Sequence, residues 1–462
     1  MSGLEATSAQ LLAKDDVGGV VRRTVETTRV VDVHTHLFPP THEDLFLHGI
    51  DNLLTYHYLV AEFFMTAEGL APEDFFALSV EAQADRIWQH LFVDRSPVSE
   101  ATQGVVTVLS KLGLGGMVAT RDLGAIREWF RAQPVEEHVE KVFDLAGVEY
   151  VVMTNIPFDP KEARHWRERK NAGSRFRSAL RVDALFAGDM ETVTAALSQA
   201  GHELSVTGLT AYLEEWVDLI HPEYLMASTP HDFHLPNGPL DQFIGCSCQV
   251  GPSRSLLTPG SFGISSRHAT TCKALELTGS GPELLHKVVF PLCESKGLPM
   301  ALKVGAFRGL NPSLRSGGDG VVVADLSEVA KLVQQYPKVK FLVTVLSRNN
   351  QHEAAVMAQK FPNLHLYGCW WYCNNPSIIE EITRMRIEML GLGFTAQHSD
   401  CRVLEHLLYK WPHFREILIP ILTTEFEKLV GRGWPLTEEQ VVRDVTRVLR
   451  GAYEDFMRKH IP

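Results

Sequence analysis

The chain has 462 residues, 45% of them hydrophobic and 22% charged, with a formal net charge of −12. That length admits one large α/β barrel with insertions or two to three smaller domains. The acidic balance and the lack of a long basic run exclude a nucleic-acid partner, and no apolar run is long and uninterrupted enough for a membrane span.

The first sixteen residues, MSGLEATSAQLLAKDD, lack the basic and apolar regions of a signal peptide. Short β-branched or apolar runs then recur, each followed by turn residues and helical periodicity. The pattern predicts eight strands, at 29–37, 149–156, 176–185, 223–229, 298–307, 340–348, 364–372 and 393–400. Helices are predicted between them at 160–172, 189–220, 281–296, 325–336, 350–360 and 376–390. Strand–helix alternation at this count predicts a parallel sheet closed into a (β/α)8 TIM-like barrel within a single domain, 1–462. A doubly wound open sheet is the alternative, but no G-x-G-x-x-G follows the first strand. Two connections exceed ordinary barrel loops. Residues 38–148 are expected to form a helical insertion after strand 1, and 230–297 an insertion after strand 4 that covers the catalytic face.

Seven cysteines, at 246, 248, 272, 293, 369, 373 and 401, are odd in number and irregular in spacing. They read as thiols of a cytoplasmic protein, not as a disulfide framework or a structural zinc site.

Polar residues gather at the ends of the predicted strands, which in a barrel converge on one mouth. Strand 1 carries Asp32, His34 and His36 on alternate positions, which an extended strand places on one face. Strand 3 ends in Arg181 and Asp183. The fourth is followed by His231, Asp232 and His234. Strand 5 supplies Lys303 and, just beyond, Arg308; strand 6 ends in Arg348, strand 7 in Trp370 and Trp371, and strand 8 in His398, Asp400 and Arg402. The first and eighth strands are neighbours in a closed barrel, so His34, His36 and Asp400 form a candidate site for a divalent metal. Two imidazoles and a carboxylate suit zinc or manganese and leave positions open for substrate oxygens.

An H-x-H on strand 1 with an aspartate on strand 8 resembles the amidohydrolase superfamily. Within it, the chain resembles the uronate (glucuronate) isomerases over most of its length. The matching stretches are HTHL at 34–37, HY at 57–58, TNIPFD at 154–159, R-x-D at 181–183, VGAFRGLNPS at 304–313, LSRNN at 346–350, GCWWYCNNP at 368–376 and SDCR at 399–402. Four departures stand out: Tyr56 where the family has an acid, Lys303 where it has a histidine, PHDF at 230–233 in place of D-H-G, and Cys401 where serine is usual.

The resemblance implies aldose–ketose isomerisation of a hexuronate, such as D-glucuronate or D-fructuronate, with a divalent metal assisting proton transfer through an enediolate. Arginine forks suit the substrate carboxylate, with Arg181 and Arg402 first and Arg308 and Arg348 behind them. Asp400, His57 and Tyr58 are the acid–base candidates, although the stretch around 57–58 also reads as an ordinary buried helix. Trp370 and Trp371 are expected to wall the pocket. Lys303 should pair with an acid or with substrate, and His231 is expected to approach the mouth. A metal-dependent hydrolase or decarboxylase of a small carboxylate is the alternative reading. The partners expected are an acidic sugar and, as barrels often associate, a second copy of the chain.

Overall fold

The structure, a computed structural model, describes residues 11–168, 173–234 and 281–461. Nine strands are described: β1 Val30–Asp32, β2 Val148–Asn155, β3 Phe176–Arg181, β4 Leu225–Ser228, β5 Met300–Val304, β6 Ala306–Phe307, β7 Gly320–Val321, β8 Phe341–Val345 and β9 Leu364–Leu366. Seven of them form one parallel sheet in the order β1-β2-β3-β4-β5-β8-β9, and β6 and β7 make a small antiparallel ribbon. Sequences such as FLVTV and MALKV are buried at every position, as expected for strands covered on both faces.

The eighth predicted strand, 393–400, contributes a single parallel bridge, Thr395 to Tyr367. Its far end nevertheless bonds to the chain just past β1. Asp400 N–H donates to His34 O at 3.2 Å, and His36 N–H to Cys401 O at 2.7 Å. The sheet therefore curls until its last segment touches its first.

The sheet's inner face carries an apolar cluster of Val31, Val33, Val152, Ala179, Met226, Ala301 and Leu342. Tyr453 and Phe456, from the helix Ala452–Arg458, belong to the same cluster. That helix sits at the amino ends of the strands. Tyr453 donates to Glu223, just before β4, and the backbone carbonyl of Met457 accepts from Lys340, just before β8. One mouth is thus plugged with hydrocarbon, at roughly 2–3 kcal/mol per buried aromatic ring, and chemistry is left to the other.

Outside the sheet, nine α-helical or π-helical stretches lie between β1 and β2, from Ile50 to Ala146. They are tied to the last sheet segment by a buried pair, His138 Nε2 to Glu405 Oε1 at 2.8 Å, while the Glu405 carboxylate also accepts Gly49 N–H. The 25-residue helix Leu407–Gly431 packs on the helix Lys14–Thr27 and reaches β1 through Trp411, which donates to Asp32. No helix of the described residues is long and apolar enough to cross a membrane. Cys293, Cys369, Cys373 and Cys401 are free and buried; Cys246, Cys248 and Cys272, with most of the 230–297 insertion, lie outside the described residues.

Three sequence expectations change. Strand 298–307 is broken at Gly305, whose φ of 102° is open to glycine and costly for other residues; Ala306 and Phe307, beyond the break, form β6. The predicted helix 189–220 is two helices, Met190–Ala200 and Val206–Ile220, the first stopped by Gly201 at φ 79°. Asp32 does not share a face with the histidines. The Asp32 carboxylate accepts Ser399 N–H at 3.0 Å and Trp411 Nε1–H at 2.9 Å, on the outer side of the sheet. Regular extended structure ends at Asp32, so the two-residue alternation does not carry through to His34. Burial pushes the Asp32 carboxyl up to about 6 against those hydrogen bonds.

Candidate active site

At the open mouth the strand ends converge on a cleft of about 350 Å3. It is lined by His36, His57, Arg181, Ser228, Lys303, Arg308, Ser316, Asp319, Trp370, Trp371, Asp400 and Arg402. Its centre is one carboxylate oxygen. Asp400 Oδ1 lies 3.0 Å from His34 Nε2, 3.4 Å from His36 Nε2 and 2.8 Å from Lys303 Nζ. Lys303 also donates to His34 Nε2. All three polar contacts fall on Oδ1, and Oδ2 takes no hydrogen bond from the described residues.

Local structure explains these positions. Asp400 has φ 55°, and Trp371 has φ 47°; a non-glycine residue in that region costs roughly 1–2 kcal/mol, the kind of strain that persists where packing over-determines a side chain's direction. Lys303 is the fourth residue of β5, in register with Ser228 of β4 and Thr344 of β8. Its ammonium lies 4.5 Å from the Trp370 ring centroid, a favourable cation–π placement. Thr154, from the TNIPFD stretch, places Oγ1 at 3.0 Å from His36 Nδ1. The turn after Thr154 is pinned by Glu162, which accepts Asn155 Nδ2–H, Ile156 N–H and Trp166 Nε1–H at 2.8, 2.9 and 3.2 Å.

The electrostatics come from burial and charge. Burial holds the His34 imidazole well below its usual range, with the Lys303 charge adding to it, and brings His36 down to about 3. Burial opposes ionisation of Asp400, but Lys303 and the contacts from His34 and His36 hold it well below the usual carboxylate range. Burial lowers Lys303 to about 8 against the pull of Asp400. His57 is kept neutral by burial and by Arg402, and its buried Nε2 has no hydrogen-bond partner among the described residues.

The donor set suits a divalent ion. Ligand atoms of His34, His36 and Asp400 lie within 4.8 Å of one another. The imidazoles are neutral and the carboxylate is ionised, as coordination requires. Thr154 Oγ1 meets His36 at Nδ1 while Nε2 faces Asp400, so the ring is held from the side away from the carboxylate, the outer-shell support that metal-bound histidines usually have.

Other predicted residues divide. Arg181 lines the cleft but is paired with Asp183 Oδ2 at 2.6 Å, and Arg308 with Asp319 Oδ2 at 2.6 Å. Arg402 lines it with no ion pair or hydrogen bond to a described residue. Both tryptophans are in the wall. Tyr58 is not; its ring packs beside Trp370 and Trp371 and faces Lys410 at 5.7 Å. Arg348 is spent on Glu381 at 2.8 Å on the surface. His231 is also outside the cleft: its side chain is 43% exposed, with its ring against Phe307. His234 is 68% exposed, 3.9 Å from Glu328. Between them the chain turns, with Phe233 N–H donating to Pro230 O at 3.2 Å. Ser228, Ser316 and Asp319 are lining residues that the sequence pattern did not single out. Ser228 shows only through its register with Lys303, and Asp319 only through its pairing with Arg308.

Neither a protein-family model nor a curated protein matches the chain. Solved structures do. The chain is similar to a uronate isomerase of Bacillus halodurans at 37% identity, with 98% of each chain covered and a TM-score of 0.85. A uronate isomerase of Thermotoga maritima shares the fold at 13% identity, TM-score 0.70, over 97% of this chain and all of that one. A glucuronate isomerase of Caulobacter crescentus does so at 14% identity, TM-score 0.68, over 99% of this chain and 97% of that one. With more than a third of its residues identical over nearly the whole of both chains, this protein belongs to the uronate isomerase family.

Proposed function

We propose that the protein is a metal-dependent isomerase that interconverts the aldose and ketose forms of a hexuronate. The observation that carries this reading is the meeting of the His34–His36–Asp400 donor set with an uncompensated Arg402 in one cleft walled by tryptophans. Family membership at 37% identity supports it independently.

The residues divide the work by charge. Arg402 receives the substrate carboxylate through paired N–H donors. That leaves the carbonyl end of the open-chain sugar toward Asp400. Asp400 Oδ2, ionised and free of protein donors, takes the proton from the carbon beside the carbonyl and returns it to the carbonyl carbon. The substrate passes through an enediolate in between. His57, neutral and with an unpartnered Nε2, relays the hydroxyl proton from one oxygen to the other. Lys303 fixes Oδ1, so the reacting oxygen has one orientation. Trp370 and Trp371 exclude water. His34, His36 and Asp400 would hold the metal, zinc or manganese, which when bound supplies Lewis-acid polarisation of the substrate oxygens.

The same reading takes the chain as one closed eight-stranded barrel domain, supported by the Asp400–His34 and His36–Cys401 backbone bonds across its ends. Residues 38–148 are its insertion after the first strand, and most of 230–297 lies outside the described residues. Free buried thiols at all four described cysteines are in keeping with a reducing cytoplasm.

The test is purified, zinc- or manganese-loaded protein incubated with a panel of hexuronates in deuterium oxide and followed by NMR. Conversion, or deuterium at the carbon beside the carbonyl, is expected with at least one of them. Neither conversion nor exchange with any hexuronate would overturn the assignment.

A further inference from the structure

The catalytic cleft is not the only one at this mouth. A second cleft, of about 660 Å3, is lined in part by Asn52, Thr55, Tyr56 and Arg315, and it shares His57, Ser316 and Arg402 with the first. No carboxylate of the described residues lines it. The four arginines that line the two clefts among the described residues fall into two classes. Arg181 and Arg308 each face an aspartate at 2.6 Å. Arg315 and Arg402 have no ion pair and no hydrogen bond to any described residue. The two uncompensated charges stand in succession, Arg315 on the outer cleft and Arg402 on the wall common to both.

Arg315 is also held where an arginine is expensive. Its backbone lies at φ 51°, ψ −129°, a region open in practice to glycine alone. Gly317 and Gly318 lie two and three positions further on, and a glycine at 315 would remove the strain at no steric cost. The side chain instead lies over Phe76, with its guanidinium carbon 4.1 Å from the ring centroid. The ring directs the guanidinium without neutralising it.

We propose that Arg315 and Arg402 form a two-step relay for a small organic carboxylate: Arg315 captures it in the outer cleft and Arg402 receives it in the inner one. The chemistry required is one anionic group on a polar, uncharged body, which Asn52, Thr55 and Ser316 can track with hydrogen bonds as it moves. For the identity of the natural ligand alone, the relay rests on the hexuronate reading. A steering charge of this kind acts on the rate of capture and is screened by salt.

The experiment compares the full-length, metal-loaded wild type with Arg315→Gln and Arg315→Lys. With D-glucuronate, kcat/KM of the wild type should fall between about 20 mM and 300 mM salt. Arg315→Gln should show about a fivefold lower kcat/KM at low salt and a nearly flat salt profile, with the loss in kcat/KM rather than kcat. Arg315→Lys, which keeps the charge, should recover most of both. A second arm uses D-gluconate, which has the carboxylate and no carbonyl, monitored by stopped-flow tryptophan fluorescence. Its association rate should drop about fivefold in Arg315→Gln with an unchanged dissociation rate. If no hexuronate turns over, the substrate assignment fails while the gluconate arm still tests the relay. Gluconate rates and salt dependence identical in wild type and Arg315→Gln would overturn the relay, as would a wild type that does not bind gluconate.

Discussion

Lys303 Nζ lies 2.8 Å from Asp400 Oδ1 and donates to His34 Nε2, so one ammonium touches two of the three proposed metal ligands. A cation there restrains the carboxylate but also repels a second cation. Lys303→Met should therefore retain zinc at least as tightly as the wild type in chelator competition. It should lose turnover by about a hundredfold or more, as expected when a group orienting a reacting carboxylate is removed. Weaker zinc retention in the variant would show that Lys303 builds the metal site rather than orienting its carboxylate.

Arg402→Lys separates substrate binding from metal binding. The charge stays while the two-pronged geometry goes, which costs on the order of 1.5–3 kcal/mol, or roughly ten- to a hundredfold in kcat/KM. Metal content should be unchanged. Asp400→Asn should lose both metal and turnover. Metal analysis and steady-state kinetics on the two variants check this, and full activity in the lysine variant would remove Arg402 from the carboxylate contact.

Gly368 has φ 68°, and a Cβ on it would fall 1.9 Å from His398 Cδ2. The His398 ring is fully buried, 5.1 Å from the His34 ring, and neither of its nitrogens has a hydrogen-bond partner among the described residues. Its ring neighbours are His34 and Tyr367, the latter with centroids 5.3 Å apart. Gly368→Ala should cost about 2–4 kcal/mol from overpacking and backbone strain together. It should also weaken metal retention, because the displaced ring presses on a ligand. Thermal unfolding and chelator competition measure the two effects separately.

Glu162 gives a pH prediction away from the site. Burial pushes its carboxyl up to about 7, against the hydrogen bonds from Ile156, Asn155 and Trp166. The folded protein then keeps a proton that the unfolded chain releases near 4.5, so stability falls as pH rises between those values and levels off above them. Relative to Glu162→Gln, which cannot ionise, the wild type should lose about 3 kcal/mol across that window. Parallel profiles of apparent Tm against pH would show that the three donors keep the carboxylate ionised throughout.

How far the sequence could be read depended on which interactions are local. Runs such as FLVTV declare a buried strand by themselves, and the order of strands and helices came from them. The cluster of strand-end residues was legible for the same reason, since parallel strands send their carboxyl ends to one mouth. What failed was anything decided across the sheet. Asp32 turns to Trp411, a partner 379 positions away, and no two-residue period can register that. His231 was expected at the mouth because it follows a strand end, whereas its ring packs on Phe307 outside the lining of the cleft. Lys303 looked anomalous beside its family counterparts, yet its register with Ser228 and Thr344 makes it central. The polar, glycine-bearing stretch 393–400 pairs through one bridge and a few loop-like bonds, and its Gln397 side chain bonds to Cys369 N and Asn374.

The backbone bonds from Asp400 to His34 and from His36 to Cys401 join the two ends of the curled sheet. They have a consequence in time as well as in space. The ligands sit on opposite sides of that join, so a chain still being synthesised owns two histidines and no site until nearly all of it has emerged. Contacts this distant in sequence form late, because their loop-closure entropy must be met by structure already in place. Tight metal capture is then a property of the finished molecule only. A divalent metal added with a chromogenic chelator in a refolding experiment becomes a clock for the final step of folding.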